Sequence, residues 1–82
     1  MSPVDPARAL AQTLRELRSD AGLTQAEMAR RLRISRPTLT LIENEDQNVT
    51  LRTLTRLSGA LGCSVGDLFV PGRVKLTTSG RR

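Results

Sequence analysis

The stretch from residue 24 to residue 44, TQAEMARRLRISRPTLTLIEN, constrains the fold more than any other part of the chain. It contains two short helical patterns, and each has its own start signal. Thr24 and Glu27 form a capping box, in which a hydroxyl and a carboxylate three residues apart each bind a free backbone N–H. Ser35 is the N-cap of the second pattern, and Pro37 stands in its first turn, where a missing N–H costs nothing. The stretch therefore predicts two consecutive helices.

Only Arg33 and Ile34 separate these two predicted helices. So short a turn makes the helices cross at a steep angle and leaves the second one projecting outward. Leu39 and Ile42 recur at helical spacing and supply the buried side of that second helix. The spacing therefore predicts the geometry of a helix-turn-helix.

Apolar stripes on both sides of this pair predict the core that holds it. A first helix is expected to begin at Asp5 and to end at Gly22. A fourth helix lies between Thr50 and Gly62, and a short fifth helix follows Ser64. The stripes recur at helical spacing and comprise Leu10, Leu14, Leu17 and Ala21 in the first helix, Leu51, Leu54, Leu57 and Leu61 in the fourth, and Leu68 and Phe69 in the fifth.

The chain is thus expected to form one all-α domain of five helices, with the helix-turn-helix at helices 2 and 3. Residues 1–6 are interpreted as a flexible lead and residues 7–70 as the helical domain. Residues 71–82 form a basic tail. Apolar and polar residues alternate over 74–77, a pattern that allows a short strand. The alternative is a flexible tail.

The charge of the chain favours a polyanionic partner. Its formal net charge is +5, from 13 basic and 8 acidic residues. A membrane surface would also suit this charge, but the first helix has a narrow apolar stripe and no aromatic anchors. Phe69 is the only aromatic residue, which argues against a platform for single-stranded nucleic acid, since such platforms stack bases on aromatic rings.

The residue types argue against catalytic and metal chemistry. Cys63 is the only cysteine and the chain has no histidine, so it lacks the ligands of a zinc site and a base to activate a nucleophile. We expect no enzyme activity, no metal and no cofactor. Cys63 is interpreted as a buried structural thiol, with redox sensing as the alternative. Without a membrane-span pattern or a signal peptide, the expected location is the cytoplasm.

Residues 23–69 resemble the Cro and lambda-repressor type of helix-turn-helix domain, the XRE family. The segments LTQAEMARRL, ISRPTLTLIEN and TLRTLTRLSGALGCSVGDLF occur in that family's order and at its spacing. The resemblance implies a homodimeric transcriptional regulator, such as a repressor, that binds a palindromic operator in double-stranded DNA. The alternative is an antitoxin that masks a toxin protein and binds DNA secondarily. Its toxin would use the basic tail or the acidic residues after the motif.

The outward side of the second motif helix is the predicted base-reading surface. With Leu39 and Ile42 inward, this side carries Arg36, Pro37, Thr40 and Leu41. Arginine can bind guanine through two hydrogen bonds, threonine can donate or accept, and leucine can contact a thymine methyl group. The alternative is a solvated helix face with one stray leucine, since isolated exposed apolar residues are common.

Other residues are expected to position the protein on DNA or to hold the motif together. Gln25 matches a position that commonly binds a phosphate in the family, and helix N-termini favour anions. Weaker candidates for contact with the DNA backbone, for which a solvated side chain is nearly as good an interpretation, are Arg33, Thr38, Asn44, Thr50 and Arg52. The resemblance also implies a partly buried ion pair between Glu43 and an arginine of the first helix, for which Arg18 is the match.

The chain departs from the family just after the motif, where many members have a glycine. Here Glu45 and Asp46 follow Asn44, and we expect Asn44 to take the left-handed turn. Two acids near a phosphate backbone would weaken DNA binding, unless the loop points away from DNA or serves a protein partner. For the dimer interface we predict either the fifth helix, with Val65, Leu68 and Phe69, or the tail.

Overall fold

Residues 5–76 are described in the computed structural model of the protein, and they form four α-helices and one short 3-10 helix. The helices are α1 (Pro6–Ala21), α2 (Gln25–Leu32), α3 (Arg36–Glu43), α4 (Leu51–Leu61) and the 3-10 helix (Gly66–Phe69). The all-α fold with a helix-turn-helix at α2 and α3 is thus confirmed. The predicted fifth α-helix is corrected to a single 3-10 turn, because the proline at position 71 cannot continue a helix. Within residues 5–76, no helix is long and apolar enough to cross a bilayer.

The four α-helices begin where the sequence places their caps. The side chains of Asp5, Thr24, Ser35 and Thr50 each accept a hydrogen bond from a backbone N–H of the first turn, at 3.0–3.1 Å. The Thr24 N–H also donates to Glu27 Oε1 at 2.8 Å, which completes the predicted capping box. The backbone N–H of Thr24, together with its hydroxyl, lowers the pKa of Glu27. Helix starts in this chain are therefore set by local chemistry.

One core joins all five elements. α1 packs against α3 and the 3-10 helix, and α2 packs against both α3 and α4. The buried apolar side chains at its centre are Leu10, Leu14, Leu17, Met28, Ala29, Leu32, Leu39, Ile42, Leu54, Leu57, Leu68 and Val74. Full burial of a leucine stabilises the fold by roughly 1.5–3 kcal/mol, so this set is what holds the short helices α2 and α3 in place.

Two predictions about apolar residues are wrong. Leu51, assigned to the core stripe of α4, is 79% exposed. Side chains on a helix lean toward its N-terminus, so a leucine at the first helical position points past the helix end. Leu68, a predicted interface residue, is fully buried in the core of its own chain and cannot contact a second subunit.

The beginning of the C-terminal tail packs on the domain. Gly72 has φ +88, a left-handed turn that favours glycine. After it the chain returns to the core, where Val74 is buried and Leu76 lies in a cleft beside Leu17. Over residues 71–76 the structure thus differs from both predicted forms of the tail, with no strand in this segment. Residues 1–4 and 77–82 lie outside the described part of the chain.

The left-handed residue after α3 is Glu45 rather than the predicted Asn44. Asn44 has φ −95, whereas Glu45 has φ +65. The Glu45 N–H donates to the Ile42 carbonyl and the Asp46 N–H to the Leu41 carbonyl, both at 3.0 Å. This is the Schellman pattern, in which the residue after the C-cap must be left-handed. A glutamate therefore occupies a backbone position that favours glycine.

Replacing Glu45 with glycine is expected to stabilise the fold by about 0.5–1 kcal/mol. Glycine removes the steric cost of the left-handed backbone, and the lost contact with Arg15, a 4.0 Å pair between exposed side chains, contributes little. Urea unfolding followed by circular dichroism measures the gain. Glu45→Gln is the control, because it removes the same charge but keeps the strained backbone. A gain in the control as large as in Glu45→Gly would show that charge, not backbone strain, limits stability here.

Candidate nucleic-acid interface

The outward side of α3 presents an arginine and an apolar side chain to solvent. Arg36 and Pro37 are exposed in the first turn, and Leu41 is 55% exposed one turn later. Within residues 5–76, Arg36 forms no ion pair. Its five N–H donors are thus available to a partner from outside the chain. The fourth predicted residue of this surface, Thr40, is half-buried.

Thr40 belongs to a hydrogen-bond chain that links α2 to α3. Its hydroxyl donates to Gln25 Oε1 at 3.4 Å, and Gln25 Nε2 donates to Glu43 Oε1 at 3.2 Å. Two side chains predicted to contact DNA are therefore bonded to each other. The amide of Gln25 is occupied at both ends, which fixes the orientation of this side chain at the start of α2.

The Glu43 carboxylate is the centre of the contacts that hold α3. Only 4% of it is exposed. Arg18 Nε donates to Glu43 Oε2 at 3.0 Å and Arg18 Nη2 donates to Oε1 at 3.1 Å. The two residues that the resemblance pairs thus lie in a bidentate ion pair, a strong and geometrically specific contact. It joins the last turn of α1 to the last turn of α3.

A second arginine of α1, which is not among the predicted contacts, binds the same end of α3. Arg15 Nη1 donates to the backbone carbonyl of Glu43, and Arg15 Nη2 lies 4.0 Å from Glu45 Oε2. Cations near a helix C-terminus interact favourably with its free carbonyls. Arg15 and Arg18 are three residues apart and so share one face of α1. That spacing was the signal that could have predicted the contact.

The structure divides the other candidates for DNA backbone contact into two groups. Thr38, Thr50 and Leu41 line one cleft of about 200 Å³ between α3 and the start of α4. The hydroxyls of Thr38 and Thr50 are engaged in helix caps, with Ser35 and Thr53 respectively. The side chains of Asn44 and Arg52 are exposed. Arg33 lies elsewhere, because it lines a separate cleft at the far end of α2.

Cys63 packs against the core but is only half-buried. Burial, together with the negative charge of Asp67, raises the pKa of its thiol. A raised pKa keeps the sulfur protonated near neutral pH, and the thiolate is the reactive form. The position therefore suits a structural residue better than a redox-active one. Within the part of the chain that is described, no group of three or more His, Cys, Asp or Glu side chains could hold a metal ion.

Comparison with known proteins agrees with this geometry. The family profile described as helix-turn-helix matches residues 14–68. An uncharacterised HTH-type transcriptional regulator of Archaeoglobus fulgidus is 30% identical over 57 residues, which cover 70% of this chain and 81% of that protein.

Two solved structures share the fold. The hypothetical transcription factor NHTF from Neisseria superposes with a TM-score of 0.69 at 27% identity, over 89% of this chain and 86% of that one. The clp gene regulator ClgR from C. glutamicum superposes with a TM-score of 0.60 at 34% identity, over 82% and 86% of the two chains.

Proposed function

This chain belongs to the helix-turn-helix family, of the XRE type, and we propose that it recognises a specific operator in double-stranded DNA as a homodimer. Its general role is that of a DNA-binding transcriptional regulator. The observation that carries the specific proposal is that Leu41 and Arg36 are both exposed on the outward side of α3, and that Arg36 forms no ion pair within residues 5–76. A solvated helix face gains nothing from the leucine, whereas a base-reading face uses both residues.

The proposed base contacts are those of Arg36, Pro37, Thr40 and Leu41. Arg36 suits a bidentate contact with guanine O6 and N7, and Leu41 suits a thymine methyl group. Thr40 would contribute from the edge of this face, because its hydroxyl is bonded to Gln25. Arg36 and Leu41 are therefore the residues that we expect to determine most of the sequence preference.

The proposed contacts with the DNA backbone flank this face. Gln25 stands at the start of α2, where backbone N–H groups favour a phosphate. The remaining candidates are Arg33, Thr38, Asn44, Thr50 and Arg52. Of these, Arg52 is the strongest, since it is exposed in the first turn of α4 and has no ion pair within residues 5–76. Arg33 is the weakest, because it lies in a different cleft.

Arg36→Ala is expected to weaken binding to the selected operator by about 1–3 kcal/mol and to relax the preference at one base pair. The loss should be much smaller on random DNA. Fluorescence anisotropy on the operator, its single-base variants and a random duplex measures both effects. Arg52→Ala is the matched control, because loss of a phosphate contact should weaken binding to all duplexes alike and reduce the salt dependence. Equal losses on operator and random DNA in Arg36→Ala would place Arg36 on a phosphate.

We propose that the dimer forms through the segment after the 3-10 helix. Val70 is 43% exposed. Together with Phe69 and Pro71 it lines a cleft of about 540 Å³ whose other wall is α1, with Ala9 and Gln12. An exposed valine at the mouth of a partly apolar cleft suits a self-complementary contact between two copies. Such a dimer would place its two copies of α3 on half-sites about one helical turn, or roughly 34 Å, apart.

Selection of bound duplexes from random DNA, at two salt concentrations, tests the proposal directly. An enriched inverted repeat is the expected result. Enrichment of a single unrepeated site would support specific recognition but contradict the homodimer. Sequence-blind binding that disappears at the higher salt would remove both.

An antitoxin role remains the alternative, and it needs a toxin partner either on the tail or on the acidic loop that carries Glu45 and Asp46. Glu45 of that loop already contacts Arg15 of its own chain, which leaves less of the loop for a partner. The regulator is therefore the function that we favour. Because its proposed target is DNA, we propose that it acts in the cytoplasm.

A further inference from the structure

A basic cleft lies between the C-terminal end of α2 and the second half of α4. Its volume is about 600 Å³, and its lining residues are Arg31, Arg33, Arg56, Gly59 and Ala60. Among residues 5–76, three guanidinium groups and no acidic side chain therefore surround one space. Arg33 and Arg56 form no ion pair within residues 5–76. Like charges that face one cleft repel each other, and a bound anion would replace this repulsion with attraction.

Gly59 is a second and independent sign of an occupant. It lies inside α4, where glycine is a poor helix former. A Cβ atom at this position would meet nothing within 4 Å, and the residue has no left-handed φ. The fold of this chain therefore does not need a glycine here. The absence of a side chain is useful to a neighbour whose own backbone approaches α4 closely.

We propose that this cleft docks an acidic segment of a partner protein. Arg33 and Arg56 would bind its carboxylates, for which the guanidinium group is geometrically suited. Its backbone would lie against Gly59. A small anion explains the arginines but not the glycine, because a backbone N–H inside a helix is already bonded within that helix.

The position of the cleft favours a protein over DNA as its occupant. Thr50 and Thr53, at the start of α4, line the cleft beside α3, which carries the proposed DNA-reading face. Arg56 and Gly59 line the basic cleft at the other end of α4. From Thr50 to Gly59 the helix rises by roughly 14 Å. A partner in the basic cleft could thus be held while α3 occupies DNA.

The test uses the full chain labelled with ¹⁵N and a 14-residue peptide of alternating glutamate and alanine as the probe. At low salt, the peptide is expected to shift the amide signals of Arg56, Gly59 and Ala60 more than those of α3. Arg33→Gln with Arg56→Gln should weaken peptide binding about tenfold, which corresponds to two lost ion pairs. Arg30→Gln with Lys75→Gln removes the same charge elsewhere and should weaken it by less than about twofold.

Gly59→Met provides a variant that leaves the charge unchanged. Methionine is a better helix former, so the melting temperature should rise by about 2–4 °C. Its side chain fills the floor of the cleft, so peptide binding should weaken about fivefold or more.

Three results would overturn the proposal. If Gly59→Met binds the peptide as well as the parent chain, no backbone lies against α4. If inorganic pyrophosphate displaces the peptide and binds Gly59→Met unchanged, the cleft is a small-anion site. If a random DNA duplex shifts the Gly59 and Ala60 signals as strongly as those of α3, the arginines bind DNA phosphates.

Discussion

Replacing Arg18 with methionine is expected to destabilise the fold by about 3 kcal/mol, because it leaves the buried carboxylate of Glu43 without its charged partner. Glu43 is 4% exposed and receives two hydrogen bonds from Arg18. Among the side chains of residues 5–76, only the neutral amide of Gln25 would still donate to it. This loss of stability is at the low end of the range for buried ion pairs, because 28% of the Arg18 side chain is exposed. Urea unfolding followed by circular dichroism measures the loss.

Arg15→Met is the matched control for this prediction. Arg15 binds the same end of α3, but through the backbone carbonyl of Glu43 and from a side chain that is 44% exposed. Its removal should cost about 1 kcal/mol or less. If Arg18→Met costs no more than Arg15→Met, the Glu43 carboxylate is not effectively desolvated and the ion pair does not hold α3.

A double substitution separates burial of an unpaired charge from simple loss of packing. Arg18→Met combined with Glu43→Leu removes both charges and leaves apolar side chains of similar size. Replacing both partners of a buried pair is often close to neutral. The double variant should therefore recover about half or more of the stability lost by Arg18→Met. A double variant as unstable as the sum of its parts would show that the two residues act independently.

Val70→Asp is expected to convert the proposed dimer into a folded monomer and to weaken binding to a palindromic operator by about 10²–10⁴-fold. Burying a carboxylate in a subunit interface is costly, and the two charged residues that line the same cleft, Asp5 and Arg8, already offset each other. The factor reflects loss of the second half-site, since each protomer keeps its own α3. Analytical ultracentrifugation measures the oligomeric state, and binding to a full and a half operator measures the affinity.

Two comparisons make the Val70 result interpretable. Leu51→Asp makes the same chemical change at a residue that is 79% exposed and lies on α4, so it should leave the dimer intact. Binding of Val70→Asp to a single half-site should equal that of the parent protomer. A Val70→Asp protein that remains dimeric would place the interface elsewhere. A parent chain that stays monomeric even on the operator would contradict the homodimer itself.

Two corrections concern helix ends, where the local backbone geometry decides the outcome. The spacing predicts Leu51 in the core stripe of α4, but at the first helical position this side chain points past the end of the helix. The left-handed residue after α3 was expected at Asn44 on residue type. The hydrogen bonds to Leu41 and Ile42 instead require it at Glu45. The hydrogen-bond geometry at the end of α3 therefore outweighs the preference of asparagine for the left-handed conformation.

In the candidate site, helical spacing predicts which side chains are exposed but not which of them contact each other. Helical spacing predicted Arg36 and Leu41 on the outward side of α3, and both are exposed there. The bond between Thr40 and Gln25 was not predicted, although each residue was assigned to the site. The basic cleft was also not predicted, because Arg33 and Arg56 are 23 positions apart in the sequence. They come together only when α2 packs on α4.

The sequence by itself determined the helix starts, the helix-turn-helix and the outward side of α3. These depend on capping residues and apolar spacing that act over a few residues along the chain. Only the tertiary structure decided which side chains hold α3, as Arg15 and Arg18 do through Glu43, and which arginines share a cleft. Those contacts join residues that are 20 or more positions apart, so their distances depend on how the core packs the helices, which no local pattern encodes.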